Sequence, residues 1–264
     1  MRTIPVHLER LARAVGTTIL TRTPARKILH QHGHVQGVED HSGTIHRADL
    51  VVSNADLHPT YRSLLPDIKA PESILGQERS TSGVVFYWGV RGNDPRLGLH
   101  NILFSNDYRE EFETISRQGS PGEDPTVYIN ITSKEIPEDA PEGHENWFVM
   151  TNVTANPEQW DNRALDQLRQ QVLAKIERTL GHQPDIVCEQ ILNPRSIESE
   201  TGSWRGALYG ASSNSKMAAF LRHRNRSTQL KGLYFCGGSV HPGGGIPLCL
   251  LGAKIVDELV QEQS

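Results

Sequence analysis

The sequence predicts an α/β fold with an inserted α+β region that is mainly antiparallel. Three features predict it. An apolar run, a glycine-dense loop and an amphipathic helix follow one another near the C-terminus. Short β runs follow a helix near the N-terminus. Between them, several strand patterns alternate with one strong helix.

The C-terminal stretch is the most informative. Residues 233–236 form a short apolar run, as in a strand buried on both faces. Residues 237–245 hold five glycines and one proline, so the chain must turn tightly there. Pro247 suits the first turn of a helix, where its missing N–H would be unpaired in any case. Leu248, Leu251, Ile255, Val256 and Leu259 then recur at helical spacing. This order points backbone N–H groups and the positive end of a helix dipole at a ligand carrying negative charge. Glycine lets the backbone approach that ligand closely. An ordinary strand-to-helix turn is the plainer alternative.

At the other end, Leu8, Leu11, Ala12 and Val15 form an apolar stripe and Gly16 is a helix stop. Short β runs follow at 17–20, 27–31, 35–39, 45–47 and 49–53, with turns at Gly33 and at Ser42-Gly43. Residues 56–65 read as a short helix ended by Pro66. Further strands are expected at 83–90, 99–104, 126–132, 147–154 and 186–192, and a charged helix at 107–117. The clearest helix is Asn162–Leu180. Leu165, Leu168, Val172, Ile176 and Leu180 share one of its faces, Asp161 or Asn162 caps it, and Gly181 ends it.

Composition excludes several function classes. A net charge of −4 and a pI near 6.3 leave no basic field for nucleic acid. No apolar run approaches the roughly 20 residues that span a bilayer. Cys188, Cys236 and Cys249 lie far apart in apolar runs, as reduced thiols do. His30, His32 and His34 alternate and would share a face on one strand, but Gly33 is expected to turn the chain there, so no metal is expected. Trp88, Trp147, Trp160 and Trp204, with Phe86 and Tyr87, either line a channel for a long hydrocarbon or fill a core. Gly-x-Ser-x-Gly, P-loop and His-Glu-x-x-His motifs are all missing, and no catalytic residue can be named.

The run Gly237, Gly238, His241, Pro242, Gly243, Gly245, Ile246, Pro247 resembles the C-terminal flavin-binding segment of the phytoene desaturase (carotenoid desaturase) family of FAD-dependent oxidoreductases. Residues 206–215, with 220–222 and 225–226, resemble the segment that leads into it. Residues 48–56 and 61–65 resemble another part of the same family. The resemblance implies FAD as cofactor, contacted by Ala25, Gly237, Gly238, His241, Gly244, Gly245, Ile246 and Pro247. Ala25, which follows Pro24, would pair its backbone with the adenine ring; His241 would touch the flavin edge or only hydrogen-bond the loop. The implied activity is desaturation of a carotenoid or related isoprenoid polyene, with hydride passing to the flavin. The implied fold is an incomplete Rossmann-like FAD domain of the glutathione-reductase type, from residues 1–56 and 226–264, with residues 57–225 as an inserted substrate domain.

One family feature is missing. No Gly-x-Gly-x-x-Gly turn, which would hold the FAD pyrophosphate, occurs in this sequence. The chain therefore reads as the C-terminal half of a desaturase, acting with a complementary N-terminal half or as a homo-oligomer. The alternative is a non-catalytic remnant or the partner subunit of a split desaturase. A cytoplasmic location is expected, with peripheral contact to a membrane left open. Strands at 51–52 and 234–235 are expected to leave an unpaired edge or an apolar patch.

Overall fold

The computed structural model describes residues 2–212 and 222–262. Helix α1 (Thr3–Ala14) forms where the apolar stripe predicts it, but none of its residues is buried. Residues 17–20 do not form a strand. A β run needs a neighbour for its backbone groups, and here none is supplied.

Strands β1 (Ala25–Gln31), β2 (His34–Asp40) and β3 (Ile45–Arg47) make an antiparallel sheet in that order. His32 and Gly33 turn between β1 and β2 with positive φ of 50° and 78°. His30, His32 and His34 therefore lie on two strands and a turn. Strand β4 (Val51–Ser53) then pairs in parallel with β10 (Leu233–Phe235), far along the chain.

The edge expected at 234–235 does not exist. Residues 225–227 close that side of β10, where Phe235 N donates to Asn225 O at 2.8 Å and Ser227 N to Leu233 O at 2.9 Å. The edge expected at 51–52 is present: among the described residues β4 pairs with β10 alone.

Asp56 caps α2 (Leu57–Pro59), which continues as a wider π-type turn through Leu64. The helix expected at 56–65 is thus two short pieces. Leu57, Tyr61 and Leu65 point inward and join Ile28, Val35, Val51, Leu233, Phe235 and Val240 in one core, with Leu75 of α3 (Glu72–Leu75) at its margin.

A second core lies under a five-stranded antiparallel sheet. Its strands are β5 (Ser82–Arg91), β6 (His100–Leu103), β7 (Val127–Ile131), β8 (His144–Val153) and β9 (Asp185–Leu192), in the order β6-β7-β8-β5-β9. Helix α4 (Tyr108–Gln118) connects β6 to β7, and α6 (Pro194–Thr201) follows β9. Helix α5 (Asn162–Leu180) covers one face of the sheet. Asp161 Oδ1 accepts from Ala164 N at 2.8 Å, and Gly181 ends the helix at φ 76°.

Strand β8 alternates strictly between buried and half-buried residues, as a two-faced strand must. Its Trp147 and Val149 meet Phe86 and Trp88 of β5 and Leu168, Val172 and Ile176 of α5. Phe86, Trp88, Trp147 and Trp160 are therefore core residues, while Tyr87 faces the other way and is exposed. Trp204 stacks on His58 at 3.6 Å between ring centres.

Helix α7 (Ile246–Gln261) closes the chain. Only Gly252 and Val256 are buried on it, and Leu248, Leu250 and Leu251 are exposed.

Candidate cofactor site

The glycine loop hangs between the buried end of β10 and the first turn of α7. Cys236 N donates to Ser53 O at 3.0 Å, the last tie between the two parallel strands. Gly237 then reverses the chain at φ 106°, and a Cβ there would strike Asn54 Oδ1. Val240 is buried beneath the loop, while His241 is exposed, and its ring makes no hydrogen bond among the described residues.

Three residues of the segment before β10 hold the loop from below. His223 O accepts from His241 N at 2.9 Å. Asn225 Nδ2 donates to Phe235 O at 3.1 Å and to His241 O at 2.8 Å. Arg222 donates through Nη1 to Gly238 O at 3.2 Å and Tyr209 O at 3.3 Å, and through Nη2 to Ala211 O at 3.1 Å. Both Arg222 and Asn225 are buried.

The end of the loop is different. The N–H groups of Gly243, Gly244, Gly245 and Ile246 find no acceptor among the described residues. Pro247, in the first helical turn, has no N–H to satisfy. Gly244 backs onto Tyr209, while a Cβ on Gly245, at φ 101°, would meet nothing within 4 Å. The helix N-terminus and a glycine with open space beside it thus adjoin, which fits a ligand that accepts hydrogen bonds and carries partial negative charge.

Buried titratable groups sit below. His223 Nδ1 lies 2.7 Å from Arg224 O, and Tyr61 Oη lies 3.0 Å from His223 Nε2. Nδ1–H therefore donates to the carbonyl, and the phenol donates to Nε2. Burial lowers the pKa of His223 and raises that of Tyr61 to about 12. Asp56 and Arg79 form a largely buried ion pair nearby. Burial also pushes up the Cys236 thiol, with Cys249 adding to the shift. A thiol held protonated is a poor nucleophile, so Cys236 does not favour a covalent flavin link.

Of the residues singled out in the sequence, Gly237, Gly238, His241, Gly244, Gly245, Ile246 and Pro247 form this one loop and helix start. Ala25 lies elsewhere, exposed, at the start of the edge strand β1 and paired with Asp40. Among the described residues no group of three or more His, Cys, Asp or Glu could hold a metal. No sequence pattern assigns a role to Arg222, His223, Asn225 or Tyr61. One signal was available: no Asp or Glu occurs from Thr201 to Val256, whereas Arg205, Lys216, Arg222, Arg224, Arg226, Lys231 and Lys254 do.

The chain is 52% identical over 263 residues to the 1-hydroxycarotenoid 3,4-desaturase of Flavobacterium sp. (strain P99-3), covering 98% of this chain and 54% of that protein. It is 33% identical over 258 residues to the 4,4'-diaponeurosporene oxygenase of Staphylococcus haemolyticus (strain JCSC1435), covering 96% and 51%. The chain belongs to the carotenoid desaturase family. A phytoene desaturase of Fusarium fujikuroi is a more distant member, 30% identical over 256 residues, with 88% of this chain and 45% of that protein covered. The chain spans about half the length of the curated relatives it matches. No family profile matches it.

Solved structures agree on the fold. An oxidoreductase from Methanosarcina mazei superposes with a TM-score of 0.64 at 19% identity, covering 95% of this chain and 52% of that one. A putative protoporphyrinogen oxidase from Exiguobacterium sp. 255-15 gives 0.62 at 19% identity, covering 98% and 51%. No helix among the described residues is long and apolar enough to cross a membrane.

Proposed function

We propose that this chain is the half of an FAD-dependent carotenoid desaturase that faces the flavin ring and the polyene. One observation carries the reading: four backbone N–H groups without an acceptor among the described residues and the open side of Gly245 meet at the N-terminus of α7. Their setting is a chain 52% identical to a 1-hydroxycarotenoid 3,4-desaturase. A bound flavin would supply the hydride acceptor for desaturation, in which the adjacent carbon also loses a proton to solvent or a base as the double bond forms. The loop's N–H groups and the helix dipole favour the negative charge that hydride transfer leaves on the ring. Gly237, Gly238, Gly244, Gly245, Ile246 and Pro247 would hold the flavin, with His241 at its edge. Ala25, on the open edge of β1, is the residue assigned to the adenine ring.

The division into flavin-domain parts 1–56 and 226–264 with a substrate part 57–225 is a proposal as well. The first core continues through Leu57, Tyr61, Leu65 and Leu75, which favours a first boundary nearer 80. The complementary half would supply the pyrophosphate-binding Gly-x-Gly-x-x-Gly turn that this sequence lacks.

The test is co-expression with a polypeptide that carries such a nucleotide-binding half. The expected result is a yellow complex with an oxidised-flavin spectrum that adds a conjugated double bond to a hydroxycarotenoid or related polyene. A stable complex that holds flavin but leaves every polyene unchanged would favour a non-catalytic remnant. Absence of flavin from a stable complex would overturn the cofactor assignment.

A further inference from the structure

A loop with five glycines has many conformations. The structure shows what selects one. Gly238 O and His241 O, two carbonyl oxygens of the loop, are both turned inward and accept from buried side chains. The carbonyl at the end of the preceding strand, Phe235 O, is held by the same Asn225 amide. An amide nitrogen has two N–H donors, and Asn225 uses both, one on each side of the first turn of the loop.

Arg222 acts on the other half. Its guanidinium bridges Gly238 O to Tyr209 O and Ala211 O, the segment on which Gly244 rests. Its Nε lies 3.2 Å from where a Cβ on Gly243 would be, so arm and loop are in close contact. A buried guanidinium needs acceptors on every side, and no carboxylate occurs anywhere from Thr201 to Val256. Three backbone carbonyls accept from it.

We propose that Arg222 and Asn225 are positioning residues: they hold the carbonyl oxygens of Phe235, Gly238 and His241, fix the path of the loop, and so present its end at residues 243–246 to the cofactor. The proposal rests on the flavin reading above. Neither side chain touches the flavin; both act through the backbone between them and it.

Two measurements test it, with Asn225→Asp, Arg222→Gln and Arg222→Lys as variants. Asn225→Asp keeps the shape and removes both donors; Arg222→Lys keeps charge and donors where Arg222→Gln loses the charge. In the chain alone, hydrogen exchange reads the bonded loop amides Val240 and His241. We expect at least tenfold faster exchange in Asn225→Asp and Arg222→Gln, a smaller rise in Arg222→Lys, and unchanged protection in β5 to β9. In the complex reconstituted with the complementary half, flavin retention should fall at least tenfold in the first two variants. The flavin they keep should show a lower reduction potential, because fewer N–H dipoles face the reduced ring. Arg222→Lys should restore part of both.

A wild-type complex without flavin overturns the flavin reading, and the cofactor role of the brace falls with it. A wild-type complex that holds flavin, with variants that hold it equally and at the same potential, overturns the positioning role alone. Unchanged exchange at Val240 and His241 also overturns it, whatever the flavin does.

Discussion

Gly245 separates two explanations of the glycine loop. Its Cβ would meet no atom of the described residues within 4 Å, so their packing does not exclude a larger residue. At φ 101° the backbone itself would be strained by any side chain, at about 1–3 kcal/mol. Gly245→Val should therefore leave circular dichroism of the isolated chain intact and abolish flavin retention in the reconstituted complex. Full flavin content with that substitution would mean the loop is only a turn. His241→Ala should keep the flavin, because the exposed ring supports nothing in the loop. His223 gives a second test at this scale. Burial lowers its folded pKa below the unfolded value of about 6.5. Below that pH the unfolded chain binds more protons, so stability falls as the solution is acidified and levels off below the folded pKa. His58, also lowered by burial, adds to the same window. Asp40, held low by Ser42, and Asp94, held low by Arg96, lose their contribution only further down, from about pH 4. Melting temperature should drop between pH 7 and 5, and His223→Gln should flatten that slope; an equal slope in the variant would show that His223 titrates normally. Gly245 was legible in the sequence because five glycines in nine residues have few structural uses. Arg222, His223 and Asn225 were not, because their meaning lies in carbonyls brought near by tertiary packing.

At the scale of elements, legibility followed local signals. Helix α5 was readable end to end: its cap, its stop and its apolar face all agree, and the face lies on the sheet. The aromatic strand residues were readable as apolar but not as channel or core, since that depends on which face of the sheet α5 covers. The 17–20 run failed because a strand pattern does not reveal whether a neighbour exists. Helices α5 and α7 also make opposite predictions. Ile176 is fully buried beneath the sheet, so Ile176→Ala should cost about 2–5 kcal/mol in chemical denaturation. Leu250 and Leu251 are apolar but are 51% and 45% exposed. Leu250→Ser and Leu251→Ser should each change stability by less than about 0.5 kcal/mol. A large loss from either would mean that α7 is packed more tightly than its exposure indicates.

Across the whole molecule, exposed apolar surface and open backbone occur together. Helix α1 exposes Ile4, Leu8 and Leu11, and α7 exposes Ile246, Leu248, Leu250 and Leu251. Among the described residues strand β4 has one open edge, with Val52 exposed beside it. A strand edge with backbone donors and acceptors free is a template for a further strand, and the family relatives are about twice as long as this chain. A complementary half, on the same or a second polypeptide, would satisfy edge and apolar surface together. Two outcomes follow for the chain by itself. It should self-associate, seen as a rise in scattering mass with concentration and as binding of dyes that report apolar surface. It should also bind FAD weakly, because the loop and α7 hold only the ring end while the pyrophosphate finds no Gly-x-Gly-x-x-Gly turn. The double substitution Leu250→Ser with Leu251→Ser should reduce the self-association and weaken capture of the complementary half together, since both use one surface. A clean monomer at high concentration would sink the first expectation, and submicromolar FAD affinity by calorimetry the second. If the double variant stops self-association yet captures the other half at full strength, the two partners use different faces, and α7 is not where the halves meet.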